Sequence, residues 1–177
     1  MQLSDPFTTA LDVQSRMHQK AWWTALPGLL RAALGQWPGH PELIDAVIAL
    51  ALHEPFVVVH GMELIPVCTE AARAVSGTDA APLLTHAAQL TWMYDDTDGA
   101  WRLLVDALSA APDDVDARTF LSELLETPDQ PKALCDSLET LAMRAVRGQV
   151  DRASVLDILT ECRPVSACPR AWSLLGL

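Results

Sequence analysis

"LLTHAAQLTWMYDDTDGAWRLLVDALSAAPDDVDARTFLSELL", residues 83–125, decides the fold class. Its apolar residues recur every three or four positions, which is the spacing of one face of an α-helix. The recurrence breaks at "YDDTD" (94–98) and again at "APDD" (111–114). Aspartate suits a helix start because its carboxylate accepts a first-turn backbone N–H, and proline suits the first turn because its φ is already helical. The spacing therefore predicts helices over 80–93, 98–110 and 114–126. The same pattern continues as helices over 132–147 and 152–161, divided by "TPDQP" and "RGQVD". Loops this short imply antiparallel neighbours.

Towards the N-terminus the pattern is looser. Leu11, Val13, Met17, Ala21, Trp22 and Leu26 follow a helical period after Ser4-Asp5-Pro6, until Pro27 and Gly28 interrupt it. "LPGLLRAALGQW" resumes as a short helix closing near Gly35, and "GQWPGHP" is a loop. Pro41 opens the next helix with Glu42 at its positive end, and Pro55 ends it. Ile44, Val47, Ile48 and Ala51 line one face of that helix, and Leu43, Leu50 and Leu52 make it apolar nearly all round, so it is expected to be central.

"FVVVHGMELIPV" (56–67) is ambiguous. Phe56, Val57, Val58 and Val59 favour a strand by propensity, yet the chain offers no second strand to pair with them. The run reads as a helix with a kink allowed at Gly61 or Pro66, and the helix that follows stops at Gly77. The tail "CRPVSACPRAWSLLGL" is irregular, pinned to the body by Trp172, Leu174 and Leu175. The expectation is a single all-α domain over 1–177 with about seven or eight helices. Residues 1–77 form irregular helices, 80–161 regular repeat-like helices, and 162–177 the tail.

Charge is unevenly placed. The net charge is −11, and residues 95–139 hold 12 acids against three bases. Phosphate backbones repel such a chain, so direct nucleic-acid binding is disfavoured. The longest uncharged run, Ala80–Tyr94, has 15 residues, short of the roughly 20 that cross a bilayer. "MQLSDPFTTALDVQSR" has no basic start followed by an apolar core, so no signal peptide or membrane contact is expected and the location is read as cytoplasmic.

The chemistry-bearing residues are sparse. Cys68, Cys135, Cys162 and Cys168 read as free thiols in a reducing compartment, with a Cys162–Cys168 disulfide open to an oxidising one. His53, Glu54, His60 and Glu63 lie close in sequence, but the histidines are seven apart with Pro55 between them, which is not zincin spacing. "YDDTDG" fails as a calcium loop, because Tyr94 and Val105 fall where oxygen donors are needed. No phosphate loop, nucleophile elbow or dinucleotide fingerprint occurs. No cofactor and no metal are expected. Six tryptophans include the adjacent Trp22 and Trp23, which a helix sets about 100° apart, so one of them is free to mark a partner or homodimer contact.

In the window Ala81–Asp114, residues Leu84, Ala88, Ala100, Leu104, Ala107 and Pro112 take positions 4, 8, 20, 24, 27 and 32. This resembles the tetratricopeptide repeat, whose small residues let paired helices approach closely. "LTWMYDDTDGAWRLLVDALSAAPDD" (90–114) also resembles the C-terminal part of a family of uncharacterised actinobacterial proteins. The repeat resemblance implies an antiparallel α-solenoid whose binding groove is lined by Gln89, Trp92, Thr119 and Glu123.

The function expected from all this is a non-enzymatic adaptor or scaffold that binds another protein, possibly a basic one. Two alternatives stand beside it. One is an acidic inhibitor whose turn acids, Asp95, Asp96, Asp98, Asp113, Asp114 and Asp116, imitate nucleic acid. The other is a small helical enzyme with a site near His53, His60 and Cys68.

Overall fold

Every regular element among the described residues is helical. The computed structural model describes residues 5–127, 131–162 and 168–177. The expectations placed on Ser4, on residues 128–130 of the "TPDQP" turn and on 163–167 of the tail lie outside them. The α-helices are α1 (Pro6–Arg16), α2 (Leu26–Gln36), α3 (Pro41–Ala51), α4 (Glu54–Ala74), α5 (Ala80–Met93), α6 (Thr97–Ala110), α7 (Val115–Leu125), α8 (Pro131–Val146), α9 (Arg152–Cys162) and α10 (Pro169–Leu174). Two 3-10 turns, Lys20–Ala25 and Gly77–Asp79, precede α2 and α5.

The helix starts obey capping chemistry. Asp5, Asp96 and Asp114 each accept a backbone N–H three residues on, from Thr8 (2.9 Å), Gly99 (2.9 Å) and Ala117 (2.8 Å). Asp151 does the same for Ser154 at 2.8 Å, and the bond holds its carboxyl below the ordinary carboxylate range. From α5 onward the boundaries follow the sequence expectation closely.

The N-terminal third departs from it at Pro27 and Pro55, and bears out the helical reading of residues 56–67. Pro27 does not interrupt a helix. It lies in the first turn of α2, where a missing N–H costs nothing. Pro55 likewise starts α4, and α3 has already ended at Ala51. "FVVVHGMELIPV" belongs to one 21-residue helix that continues through Gly61 and Pro66. Tertiary packing overrides strand propensity there, since Phe56, Val57, Leu64 and Val67 are all buried on one side. The tail is ordered enough at its end to form α10, on which Ala171 is buried. Of the adjacent tryptophans, Trp23 is buried with its indole N–H on the Met17 carbonyl at 2.7 Å. Trp22 stays exposed under the Arg16 guanidinium, 3.8 Å from the ring centre.

Contacts run between near neighbours along the chain. Each helix packs on the next or the next but one: α1 on α3, α2 on α4, α3 on α4 and α5, α5 on α6 and α7, α6 on α8, and α8 on α10. Ion pairs tie alternate helices too. Arg31 of α2 forks onto Glu70 of α4 at 2.6 and 3.0 Å. Arg144 of α8 reaches Asp106 of α6 at 2.5 Å, and Arg118 of α7 reaches Glu161 of α9 at 2.9 Å. The Glu70 carboxyl is held below its ordinary pKa by the Arg31 hydrogen bonds.

Two hydrophobic clusters fill the interior. One runs from Ala10 to Leu90 and the other from Ala88 to Leu175, so both draw on α5. Leu84 and Leu103 pack against both clusters. The seam between the two cores therefore lies along α5 and α6. α4 packs extensively on α5, and α5 on α6, whereas α4 and α6 hardly touch.

Gly61 permits the tight α4–α5 packing. A Cβ there would meet the Tyr94 ring at 3.1 Å and Leu90 at 3.2 Å. Tyr94 also donates its hydroxyl to the Val57 carbonyl at 3.2 Å. We expect Gly61→Val to overpack this contact and cost about 2 kcal/mol, read as a lowered melting temperature. Gly61→Ala, which regains about 1 kcal/mol of helix propensity, should lie close to wild type.

Candidate interaction groove

The seam opens at the surface as a trench. α4 forms one wall with Met62, Ile65, Thr69, Ala72 and Arg73, which recur at helical spacing and share a face. α6 forms the other with Gly99, Arg102, Leu103 and Asp106, and Leu84 and Thr91 of α5 reach it from below. Two recesses share Leu103. The one at the α5–α6 turn, which adds Tyr94 and Asp96, holds about 380 Å³. The one towards Arg73 holds about 190 Å³. A third recess of about 520 Å³ lies on the far side of α6, between Asp98, Arg102, Val105 and Asp106 and the Ala133–Arg144 face of α8. Arg102 and Asp106 thus sit on a rib between two depressions.

Local chemistry shapes the trench. Pro66 has no N–H to offer the Met62 carbonyl, so α4 gives up one ladder bond at the wall. Gly99 leaves room for the Asp96 cap and the Thr91 methyl, which lie 2.7 and 2.9 Å from where a Cβ would sit. Arg102 donates to the Asp98 carbonyl at 3.2 Å. Beside the trench, α4 carries Val58, Val59 and Met62 at 65%, 61% and 62% exposure. These are large apolar side chains left in water on adjoining positions.

The four residues expected to line a groove take different places. Gln89 and Trp92 are half-buried on α5, Gln89 opposite His86 at 3.2 Å and Trp92 packed against the second core. Thr119 and Glu123 are exposed on α7, which packs on α5. The recesses described above are lined by other residues. Thr85, one helical turn before Gln89 on α5, is completely buried.

His53 and His60 do come together, around Trp23 and Phe56, with His60 5.3 Å from the Phe56 ring and His53 6.0 Å from Trp23. His18, which sequence proximity cannot find, joins them: its Nδ1 lies 3.2 Å from His53 Nε2. His53 Nδ1 accepts the Phe56 backbone N–H at 3.3 Å and so caps α4. That bond puts the imidazole proton on Nε2, which then donates to His18. The pair is a hydrogen bond rather than a chelate, and no group of three or more ligand side chains among the described residues is placed to hold a metal.

Cys68 does not join the histidines. It lies eight residues beyond His60 on the same helix, about 12 Å along the axis, and is fully buried. Burial pushes its thiol up to about 12. Cys162 is pushed to about 12 as well, by burial and then by the charge of Glu161. Neither offers a thiolate at neutral pH. The other two cysteines correct the expectation of free thiols: Cys168 bonds to Cys135 of α8, their Cα atoms 5.2 Å apart, and the alternative Cys162–Cys168 pairing is not formed. The bond seats α10 on α8, and Arg152 of α9 donates to the Leu175 carbonyl.

Comparison of the chain with protein-family models, with curated proteins and with solved structures gave no match.

Two outcomes follow for the cysteines. A thiol reagent at pH 8 should find no reactive thiol in the native oxidised protein and two, Cys68 and Cys162, after denaturation; rapid native labelling of either contradicts their burial. Replacing Cys135 by Ser opens a loop of sequence separation 33. It should cost about 3–4 kcal/mol, measured by denaturant unfolding under oxidising conditions.

Proposed function

We propose that this chain is a non-enzymatic interaction module, a tetratricopeptide-like stack of antiparallel helix pairs that holds another protein in the trench between α4 and α6. The observation that carries the reading is the seam itself: apolar floor, polar rim and two recesses in line, beside large apolar side chains left exposed on α4. The repeat assignment is supported by the packing of α1, α2, α3, α5, α6 and α8 each on its second neighbour along the chain, by the complete burial of Ala88 and Ala100, and by Pro112 just past the end of α6. Gln89, Trp92, Thr119 and Glu123 would then lie on the α5–α7 flank and form a second, shallower surface.

The acidic-mimic alternative has less support at two of its six turn acids. Asp96 and Asp114 already serve as helix caps, which is what turn acids are for in a solvated helical protein. The enzyme alternative has less support, because Cys68 is buried away from His53 and His60.

Site-specific photo-crosslinking in the source cell tests the reading. A photoreactive side chain in place of Ile65 should give a discrete adduct with another protein, and Leu103→Arg should suppress it. Adducts from position 119 alone move the contact to the α5–α7 flank. No adduct from either position overturns the proposal.

A further inference from the structure

We infer that α10 is a redox latch: the Cys135–Cys168 bond holds it against α8, and reduction by a dithiol frees it and uncovers an apolar stripe of α8 while the rest of the fold stands. The latch lies apart from the trench and does not depend on what that groove holds.

α10 cannot sustain itself. Its six residues, Pro169–Leu174, make fewer than two turns. An isolated helix becomes even marginally stable only at roughly 12–15 residues. Apart from the bond, its anchorage is modest. Ala171 and Leu175 are buried in the core that also holds Leu138 and Ala142, with Trp172 half-buried beside them. Arg152 donates to the Leu175 carbonyl. Arg170 stands 3.7 Å from Glu139, but its side chain is 84% exposed, and an ion pair so open to water contributes little. Opposing these is the backbone of Cys168, whose φ of 30° lies in the left-handed region that a residue with a Cβ avoids. The bond keeps Cys168 there, and reduction lets that strain relax by undocking.

What α10 covers follows from helical spacing. Cys135, Leu138, Glu139 and Ala142 stand at i, i+3, i+4 and i+7, so they share one face of α8. Cys168 bonds to the first and Arg170 approaches the third, which places α10 over that face. Leu138 and Ala142 are buried there. With α10 released, that side of both is opened to water.

The chemistry has a direction. Cys135 is half-buried whereas Cys168 is buried, so an incoming thiolate meets the Cys135 sulfur. It attacks Cys135 Sγ, the S–S bond breaks, and Cys168 leaves as a thiolate and takes up a proton. The second thiol of the dithiol then displaces Cys135 from the mixed disulfide. Two cysteine thiols result, and the dithiol, having given up two electrons and two protons, is left as a disulfide. Cys68 and Cys162 do not compete. Burial pushes both thiols up to about 12, so neither attacks the bond at neutral pH.

Limited trypsin digestion of the native full chain tests the latch. Arg170 is exposed, but Ala171 across the bond to be cut is buried, so cleavage after Arg170 needs α10 to leave α8. With dithiothreitol as the dithiol, loss of residues 171–177, read by mass, should run about tenfold faster than in the oxidised chain. Native alkylation should then reach Cys135 and Cys168, and circular dichroism should lose no more helix than α10 contributes. The double variant Cys135→Ser, Cys168→Ser should be cut at the fast rate with or without dithiothreitol. Should that variant fail to fold, the wild-type comparison alone decides. Equal cleavage in the two redox states shows a helix that docks unaided. Loss of helicity across the whole chain on reduction shows a support of the global fold. A native bond that resists dithiothreitol is closed to reductants. Each of these three results overturns the inference.

Discussion

The close approach of α4, α5 and α6 is the constraint from which the remaining structure follows. Gly61 lets α4 settle on Leu90 and Tyr94, and small buried residues, Ala88 and Ala100, line the α5 and α6 partners. With α5 gripped on both sides, its two faces must serve two different cores. One core collects α1 to α4, the other α6 to α10, and α5 contributes to each. A helix in that position is apolar by necessity, which explains why Ala80–Tyr94 is the longest stretch of the chain without a charge.

A functional surface is a consequence of the same arrangement. α4 and α6 are both held by α5 and run alongside each other without closing the gap, so the seam stays open to solvent. Leu84 lies beneath the open groove and Leu103 on its α6 wall, so apolar surface is left facing solvent there. The exposed Met62 stands on the opposite wall, with Val58 and Val59 exposed on the preceding turn of α4. Away from the trench, charge serves structure: aspartates cap helices, and Arg31, Arg118 and Arg144 bridge alternate helices.

The regular helices could be read from the chain because their punctuation is local. Asp96, Pro112, Asp114 and Asp151 each act within three or four residues of where they stand, so helix limits from α5 onward were legible. Less was visible where the deciding partner is remote. Phe56–Val59 favour a strand by propensity, and only the lack of a partner strand marked them as helix; the side they bury is visible in the fold alone. Pro27 and Pro55 look like breaks, although a proline is equally at home one residue inside a helix start, and only the preceding chain decides which. The trench was not visible at all. Met62, Ile65, Arg102 and Leu103 have no motif in common, and their meeting depends on the spacing of α4 and α6 across α5. The one available signal was the surplus of apolar residues on α4, more than one buried face can absorb. The Cys135–Cys168 bond and the His18–His53 pair are likewise contacts between segments far apart in sequence, with no local mark.

Native-state hydrogen exchange measured peptide by peptide tests the central claim, that α5 is the shared support of both cores. The account predicts that amides of residues 83–92 exchange slowest in the molecule, and that helices on either side open fully only when α5 does, in one cooperative step. Two separate opening steps, with α5 exchanging as fast as α2 or α9, would contradict it.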